Sequence, residues 1–501
     1  MLENRSFDHI FGFSGLPGIN GLKGDESNTY NGTTYTVSKG AKNPMTTDSA
    51  HEFFDTMEQL CGTKYGPKGI NPFPAGPYPP IDNSGVVANY ATTVDEDTGL
   101  PAPADYGDVM KCCAPEDVPV MIQLAQEFAI CDRWYASIPG ATWPNRLFAM
   151  GASSSGLDDT PSTSQIAGWE TPWGGIEYVN GSIFDLLTKN GKQYRLYNDW
   201  DNNFANPPAS VTDGGQFPMV SALYGISWED IHYFSELAND LQGYYPYQFT
   251  FIEPHYGDAV DDTYVGGSSQ HPEDCLAAGE ALIAATYNAV RNSPLWDTSL
   301  LIVTYDEHGG FYDHSTTPRP ATPPGDTPQW GYNLHGFDFS SYGPRVPAVV
   351  ISPLIPKGTV CSNLYDHTSM LRTVEDINGL PQLTNRDASA RGLTGLLTGE
   401  KPRTDCPLNI TAQVGVCTAP QTQSMSIQDA LADPTPLVEK GNVIVHLQAA
   451  VKTDIELAGH DEVAAAAIIT RAEAIKTRGQ ARAYFAEVSA RVRAAKKRGT
   501  N

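Results

Sequence analysis

The chain has 501 residues, 40% hydrophobic and 18% charged, with 46 glycines and 38 prolines, a composition that excludes a coiled coil, a collagen and a disordered tail. The formal net charge of −26 repels nucleic acid and anionic membrane at long range, so no nucleic-acid partner is expected. No apolar run reaches the roughly 18–20 residues a bilayer span requires; the best, residues 346–355, is broken by two prolines and a serine.

The chain opens Met1-Leu2-Glu3-Asn4-Arg5-Ser6-Phe7-Asp8, with neither the basic start nor the apolar core of a signal peptide. A polar Glu-Asn pair at the mouth of a buried sheet normally follows an apolar strand of about five residues. Only Met1 and Leu2 stand before it here, so the expectation is a start that lacks its first strand. A helix is expected from near Phe7, with Ser6 or Asn4 as its cap. Residues 62–108 and 153–181, dense in Pro, Gly, Tyr and Ser, read as long loops over a scaffold. Between them, Thr142 stands in Ile138-Pro139-Gly140-Ala141-Thr142-Trp143-Pro144-Asn145-Arg146, a rigid turn leading into a helical run over 145–150.

Residues 247–252, 300–305 and 346–351 read as central strands, and 274–291 as a helix. Strand, helix, strand predicts a right-handed crossover and a mostly parallel sheet. The strands run into Glu253-Pro254-His255, Asp306-Glu307-His308 and Ser352-Pro353, and ligands of open α/β sheets sit outside the carboxyl ends of the strands. Past residue 400 the texture changes. Residues 401–436 read as a linker and 437–501 as a helical tail with a basic excess, its Ala-rich part 461–497 interrupted at Gly479 into two helices. The catalytic domain is therefore expected over 1–400. Eight cysteines, an even count without a C-x-x-C pair, predict disulfides; with sequons at Asn31, Asn180 and Asn409 they point to a secreted or extracytoplasmic protein.

The chain holds no Walker A loop, H-E-x-x-H, G-x-S-x-G or strand-linked G-x-G-x-x-G. Glu3, Asn4, Asp306 and Glu307, if they converge, form an oxygen donor set with up to three negative charges, suited to Ca²⁺, Mg²⁺ or Mn²⁺ and open to Zn²⁺. The alternative is that Glu3-Asn4 caps a helix and Asp306-Glu307 is an exposed turn. A threonine hydroxyl is a poor nucleophile until a metal lowers its pKa, after which attack on phosphorus forms a phosphothreonine; the alternative for Thr142 is an ordinary N-cap. Histidines 51, 271, 308 and 314 are candidates for protonating a leaving group or bonding phosphoryl oxygens, against ordinary structural roles.

Glu3-Asn4-Arg5-Ser6-Phe7-Asp8, Thr142-Trp143-Pro144-Asn145-Arg146 and Asp306-Glu307-His308-Gly309-Gly310-Phe311-Tyr312-Asp313-His314 together resemble the phosphoesterase family of nonspecific phospholipases C and related acid phosphatases. The resemblance runs over about residues 1–395 in the expected order, with Asp48-Ser49-Ala50-His51, Gln270-His271-Pro272 and Pro344-Arg345-Val346-Pro347-Ala348 also similar to family segments. It implies an alkaline-phosphatase-like α/β/α sandwich with a central, mostly parallel sheet. It implies a divalent metal ion held by Glu3, Asn4, Asp306 and Glu307, and Thr142 as the metal-linked nucleophile. It further implies that His51, His271 and His314 surround the phosphoryl group or leaving oxygen, with Asn145 and Arg146 supporting the nucleophile turn. The first strand of the family and the long C-terminal module of some bacterial relatives have no counterpart in the sequence.

The expected activity is hydrolysis of a phosphoric ester, with a phospholipid or small phosphate ester as partner and transient contact with a membrane surface. Phospholipase C-type diester cleavage and acid phosphatase-type monoester cleavage use the same core. An inactive binding relative is the alternative of another class. Trp134, Tyr135 and Trp143, with the Tyr/Pro-rich stretch 73–90, form either an aromatic cage for a choline cation or part of the core.

Overall fold

Seven short strands carry the scaffold: β1 (Ala129–Cys131), β2 (Tyr194–Asn198), β3 (Ile231–Tyr233), β4 (Phe249–Glu253), β5 (Leu301–Thr304), β6 (Ala348–Ile351) and β7 (Thr359–Cys361). The structure, a computed structural model, describes every residue outside 74–77, 94–104, 168–172, 201–216, 259, 261–263, 265, 327–331, 413–426, 438–441 and 500–501. The strands form a four-stranded sheet in the order β5-β6-β1-β7 and a three-stranded sheet in the order β3-β2-β4. β6 is buried along its whole length, as an uninterrupted Ala-Val-Val-Ile run requires when both faces of a sheet are covered.

The parallel expectation holds for β2 with β3 and β4 and for β1 with β7. It fails at β6, which runs antiparallel to β5 and β1, placing Val349 opposite both Val303 and Ile130. The sequence pattern cannot see this, because a fully buried strand reads the same in either direction. β4 and β5, expected to be linked by a crossover within one parallel sheet, lie at the edges of different sheets.

The helices that position the site are α1 (Phe7–Phe11), α2 (Phe53–Cys61), α3 (Pro119–Glu127), α4 (Thr142–Gly151), α5 (Leu276–Arg291) and α6 (Thr368–Asn378). Ser6 caps α1 by accepting from His9 N at 3.1 Å. α3 begins with Pro119, and its next two amides are capped from a distance: Val120 N and Met121 N donate to the Glu280 carboxylate of α5 at 2.5 and 3.3 Å. A helix, Val86–Thr92, stands inside the stretch 62–108 expected as loop. Its apolar residues cover Val37, Met45 and Met110 in a satellite core.

The tail forms three helices, α7 (Asn442–Leu457), α8 (Glu462–Glu473) and α9 (Arg478–Gly499). The break falls before Arg478, and Gly479 lies inside α9 because any side chain there would press on the backbone of Leu431 and Asp433. Val443, Val445 and Leu447 of α7 and Phe485 and Val488 of α9 share one apolar core with Trp143 and Leu147 of α4. The tail is thus docked beneath the helix that begins at Thr142. The expected disulfide framework is not what the described cysteines form: Cys61, Cys112, Cys113, Cys131, Cys361 and Cys406 are free thiols, and Cys275 is disulfide-bonded. Even count predicted pairing, but burial in the sheet and under α1 gives most of these thiols an ordinary apolar role. No helix among the described residues is long and apolar enough to cross a membrane.

Candidate active site

Leu2 is the hinge on which the site is built. Its N–H donates to Thr304 O at 2.9 Å and its carbonyl accepts from Asp306 N at 3.2 Å, a parallel bridge to the end of β5. Glu3-Asn4 and Asp306-Glu307 therefore leave adjacent backbone lines side by side. Asn4 takes a left-handed conformation, φ 63°, which Asn accepts more readily than most residues. Its N–H donates to Asp306 Oδ1 at 3.2 Å. Gly309 closes against it: a β-carbon there would stand 2.3 Å from Asn4 O.

Thr142 is the first residue of α4, with Ala141 at the cap position. The hydroxyl is therefore not an N-cap. It donates to Asn4 Oδ1 at 3.1 Å, and Asn4 Nδ2 stands 3.3 Å from His51 Nε2. His51 Nδ1 lies 2.7 Å from the carbonyl of Ser49, which only accepts, so Nδ1 carries the proton and Nε2 is left with a lone pair to receive the Asn4 amide. The hydrogen bonds run in one direction, from Thr142 through Asn4 to His51.

Arg146, one turn along α4, places Nε 2.9 Å from Asp306 Oδ2 and Nη2 3.6 Å from Glu3 Oε2. Its guanidinium also lies over the Tyr256 ring at 5.2 Å. This is more than support for the turn, the role expected from sequence. Glu307 Oε2 accepts from Gly309 N at 2.8 Å and faces His308 Nδ1 at 3.1 Å; its Oε1 is 3.9 Å from His51 Nε2. Glu3, Asp306, Glu307, Asn4, Thr142 and Arg146 are all buried, so the exposed-turn and helix-cap alternatives do not apply.

Electrostatically the cluster is short of positive charge. Burial pushes Glu3 well above the ordinary carboxylate range, against the pull of Arg146, and raises Asp306 to about 6, with Glu307 adding to the rise. Both Glu3 oxygens and Glu307 Oε1 are buried without a hydrogen-bond partner. With all three carboxylates ionised, one guanidinium would leave two negative charges uncompensated, beside the three orphaned oxygens. That matches a hard divalent cation with oxygen ligands, and Asn4 Oδ1 and Thr142 Oγ1 complete the donor set.

His271 lies beside this cluster. Its ring stacks on Tyr264 at 3.6 Å and meets His51 edge-on at 6.2 Å. Glu273 N approaches Nδ1 at 3.5 Å, which leaves the proton on Nε2, an atom without a hydrogen-bond partner and 3.8 Å from Asp48 Oδ2. Burial holds His271 well below the usual imidazole value, so it is a neutral donor at neutral pH. Among the described residues Asp48, His51 and His271 bring ligand atoms within 4.8 Å of one another, which Glu3, Asp306 and Glu307 do not, but the proton on His51 Nδ1 faces the Ser49 carbonyl. This arrangement orients the two imidazoles.

His314 is brought elsewhere. Its Nδ1 is 2.6 Å from Asp8 Oδ2 and its Nε2 3.1 Å from Asn20 Oδ1. Asp8 and Asp313 are already matched by Arg345, at 2.8 and 3.1 Å. The flexible Gly309-Gly310 loop and the family resemblance pointed to an imidazole turned back over the site, whereas Asp8 and Asn20 hold the His314 ring. The cage reading fails as well. Trp143 packs on His446 of α7, Trp134 donates to His367 Nδ1 at 3.3 Å, and Tyr135 lies against Tyr342. All three rings are fully buried, and residues 74–77 of the adjoining stretch lie outside the described residues.

Three supporting residues carried no local signal in the sequence. His367 Nε2 donates to Asp306 O at 2.5 Å. Arg5 reaches across the site to Gln270 O and His271 O at 2.8 and 2.9 Å, holding the His271 turn. Gln59 of α2 accepts from His308 Nε2 at 2.7 Å. Each acts over dozens of residues or more of sequence separation, which no short motif records.

Residues 1–381 match the model of the Phosphoesterase family. Non-specific phospholipase C6 of Arabidopsis thaliana is 33% identical over 427 residues, covering 82% of this chain and 73% of its own length. Phospholipase C A of Mycobacterium tuberculosis is 28% identical over 305 residues, covering 56% of this chain and 54% of its own. Among solved structures, a protein in the alkaline phosphatase superfamily from Vibrio parahaemolyticus aligns at 15% identity and a TM-score of 0.30, over 56% of this chain and 64% of that one.

Proposed function

Because the chain belongs to the Phosphoesterase family and is a phosphoric ester hydrolase, we propose that it cleaves phospholipid phosphodiesters in the manner of a phospholipase C, with Thr142 as nucleophile and a divalent metal ion in the carboxylate cluster. The observation that carries the reading is the Thr142 hydroxyl at 3.1 Å from Asn4 beside three orphaned carboxylate oxygens. Glu3, Asn4, Asp306, Glu307 and Thr142 would hold the ion, which supplies Lewis-acid activation of the hydroxyl and charge neutralisation at phosphorus.

The chain's own residues then divide the work. Thr142 Oγ1 loses its proton to solvent and attacks phosphorus in line; an Oγ–P bond forms as the P–O bond to the diacylglycerol oxygen breaks, leaving the head-group phosphate on Thr142. The neutral His271 donates a hydrogen bond from Nε2 to the departing oxygen, which takes its proton from solvent. In the second half, water attacks phosphorus and gives its proton to the His51 Nε2 lone pair; Thr142 Oγ1 leaves, recovers a proton from His51, and the phosphorylated head group is released. Arg146 opposes the rise that burial imposes on Glu3 and Asp306, which makes both easier to ionise. The names of the relatives support a diester substrate.

The test compares release of phosphocholine from phosphatidylcholine micelles with phosphate release from p-nitrophenyl phosphate, after chelation and after return of Mg²⁺, Mn²⁺, Ca²⁺ or Zn²⁺. Metal-restored diester cleavage that exceeds monoester cleavage is expected. A clear monoester preference would assign an acid phosphatase, and a folded chain inert under every metal would assign a binding protein.

A further inference from the structure

The four-stranded sheet holds a pair of thiols that the chemistry at Thr142 does not use. β1 and β7 run parallel in a register that puts Cys131 opposite Cys361. In such a pair both side chains leave the sheet on the same face. Neighbouring strands lie about 4.8 Å apart, inside the roughly 4.4–6.8 Å over which a disulfide joins two α-carbons. Both cysteines are free thiols, and they hydrogen-bond to one another, with Cys131 as the donor.

The two sulfurs are not equivalent. β7 is the outer strand of its sheet and β1 an inner one. Cys361 is 6% exposed and precedes the exposed Ser362 and Asn363, while Cys131 is fully buried. Asn363 Nδ2 donates to Cys361 Sγ at 3.4 Å, and the Tyr365 hydroxyl stands 3.5 Å from the same sulfur. A thiolate at Cys361 accepts from both of these groups and from the Cys131 thiol. The hydrogen bond from Cys131 is the main cause that holds Cys361 below the ordinary thiol value, and the same bond, with burial, raises Cys131 above it. One reachable sulfur surrounded by donors, beside one buried thiol, is the division of labour that thiol–disulfide exchange requires.

We propose that Cys131 and Cys361 are a modification site, converted reversibly to a cystine by a small organic disulfide. The Cys361 thiolate attacks one sulfur of the organic disulfide R–S–S–R; a mixed disulfide forms at Cys361 and R–S⁻ leaves. Cys131 Sγ loses its proton to that R–S⁻ and attacks Cys361 Sγ; the Cys131–Cys361 bond forms, and the second R–S⁻ leaves and takes a proton from solvent. Two electrons pass from the protein to the organic disulfide, and an organic dithiol returns the bridge to two thiols by the reverse steps. Past the cysteines the two chains stay paired, Trp134 with Tyr365 and Tyr135 with Asp366. Asp132 N donates to Cys361 O at 3.1 Å and Tyr365 N to Arg133 O at 3.0 Å. Trp134 bonds His367, which in turn bonds the carbonyl of Asp306. The cystine therefore fastens the corner that carries these residues, and it closes a long loop in the unfolded chain.

The experiment takes the full chain, reduced with dithiothreitol and desalted, and exposes it to oxidised glutathione under native conditions. The product is quenched with iodoacetamide in denaturant and digested without reduction for mass spectrometry. A peptide pair joined from Cys131 to Cys361 is expected, lighter than the two separate peptides by two hydrogen atoms and lost on renewed reduction. Amide exchange at Asp132 and Tyr365 is expected to slow by about tenfold in the oxidised chain, with the melting temperature raised by about 3 °C or more. Oxidised glutathione should leave both quantities unchanged in Cys361→Ser. Glutathione retained on Cys361 with Cys131 alkylated, pairing of either cysteine with a different one, or a bridge that forms only in urea would overturn the proposal. If Cys361→Ser fails to fold, Cys131→Ala takes its place, and a melting temperature that rises with oxidised glutathione in that variant would overturn it equally. None of these readouts depends on phosphoesterase activity.

Discussion

At the scale of single residues, the site turns on hydrogen-bond direction and on charge. Thr142→Ala removes the attacking oxygen while leaving α4 with a strong helix former, so turnover is expected to fall by about 10³-fold or more with the fold intact by circular dichroism. Thr142→Ser keeps an oxygen at the same position and should retain measurable activity. Arg146→Met removes the cation that lies 2.9 Å from Asp306 and 3.6 Å from Glu3. Both carboxyls then bind protons more readily, and carboxylates must be ionised to take a metal. The acid limb of the pH–rate profile should move up by about one pH unit or more; a limb that stays in place would mean Arg146 acts on the turn alone. Asn4 and Asp306-Glu307 stood out in the sequence as short polar runs after apolar residues, and Thr142 as a hydroxyl in a rigid Pro-Gly turn leading into a helix. Arg5, His367 and Gln59 were not, since their roles are set by backbone carbonyls and side chains far away in sequence.

At the scale of elements, the clearest case is the cap that α5 provides for α3. Glu280 is fully buried and accepts the Val120 and Met121 amides, and burial pushes its carboxyl up to about 8. An unfolded glutamate titrates near the ordinary 4.5, so the folded chain retains a proton that the unfolded chain releases between those values. Stability therefore falls as the pH rises from about 4.5 to about 8 and levels beyond. Glu280→Gln, which keeps a carbonyl acceptor and never ionises, should flatten this slope. Urea midpoints of the two proteins at pH 5 and pH 8.5 measure it, with a differential of about 4 kcal/mol expected. β4, β5, β6 and α5 were legible from their apolar runs and helical spacing, whereas β1, β2, β3, β7 and the direction of β6 were not. Ala348–Ile351 is apolar at every position, and nothing in such a run distinguishes parallel from antiparallel pairing.

At the scale of the whole molecule, the tail and the catalytic region are joined through one core. Phe485 of α9 is fully buried in the cluster that includes Trp143 and Leu147. Phe485→Ala should cost about 3–5 kcal/mol in urea unfolding, and Trp143 fluorescence should report the same transition as the tail's helical signal. Two separated transitions would show that the tail folds independently. The basic excess and helical period of the tail were readable in sequence; its docking under α4 was not, because amphipathic spacing gives the apolar face and not its partner.

The proposed mechanism requires Thr142 to form a covalent bond to phosphorus. Acid-quenched turnover of phosphatidylcholine by the metal-loaded chain, followed by peptide mass spectrometry, tests this directly. A phosphocholine adduct on Thr142, appearing in the first turnover and missing from Thr142→Ala, is the predicted result. Rapid turnover with no adduct on Thr142, or an active Thr142→Ala chain, would contradict it.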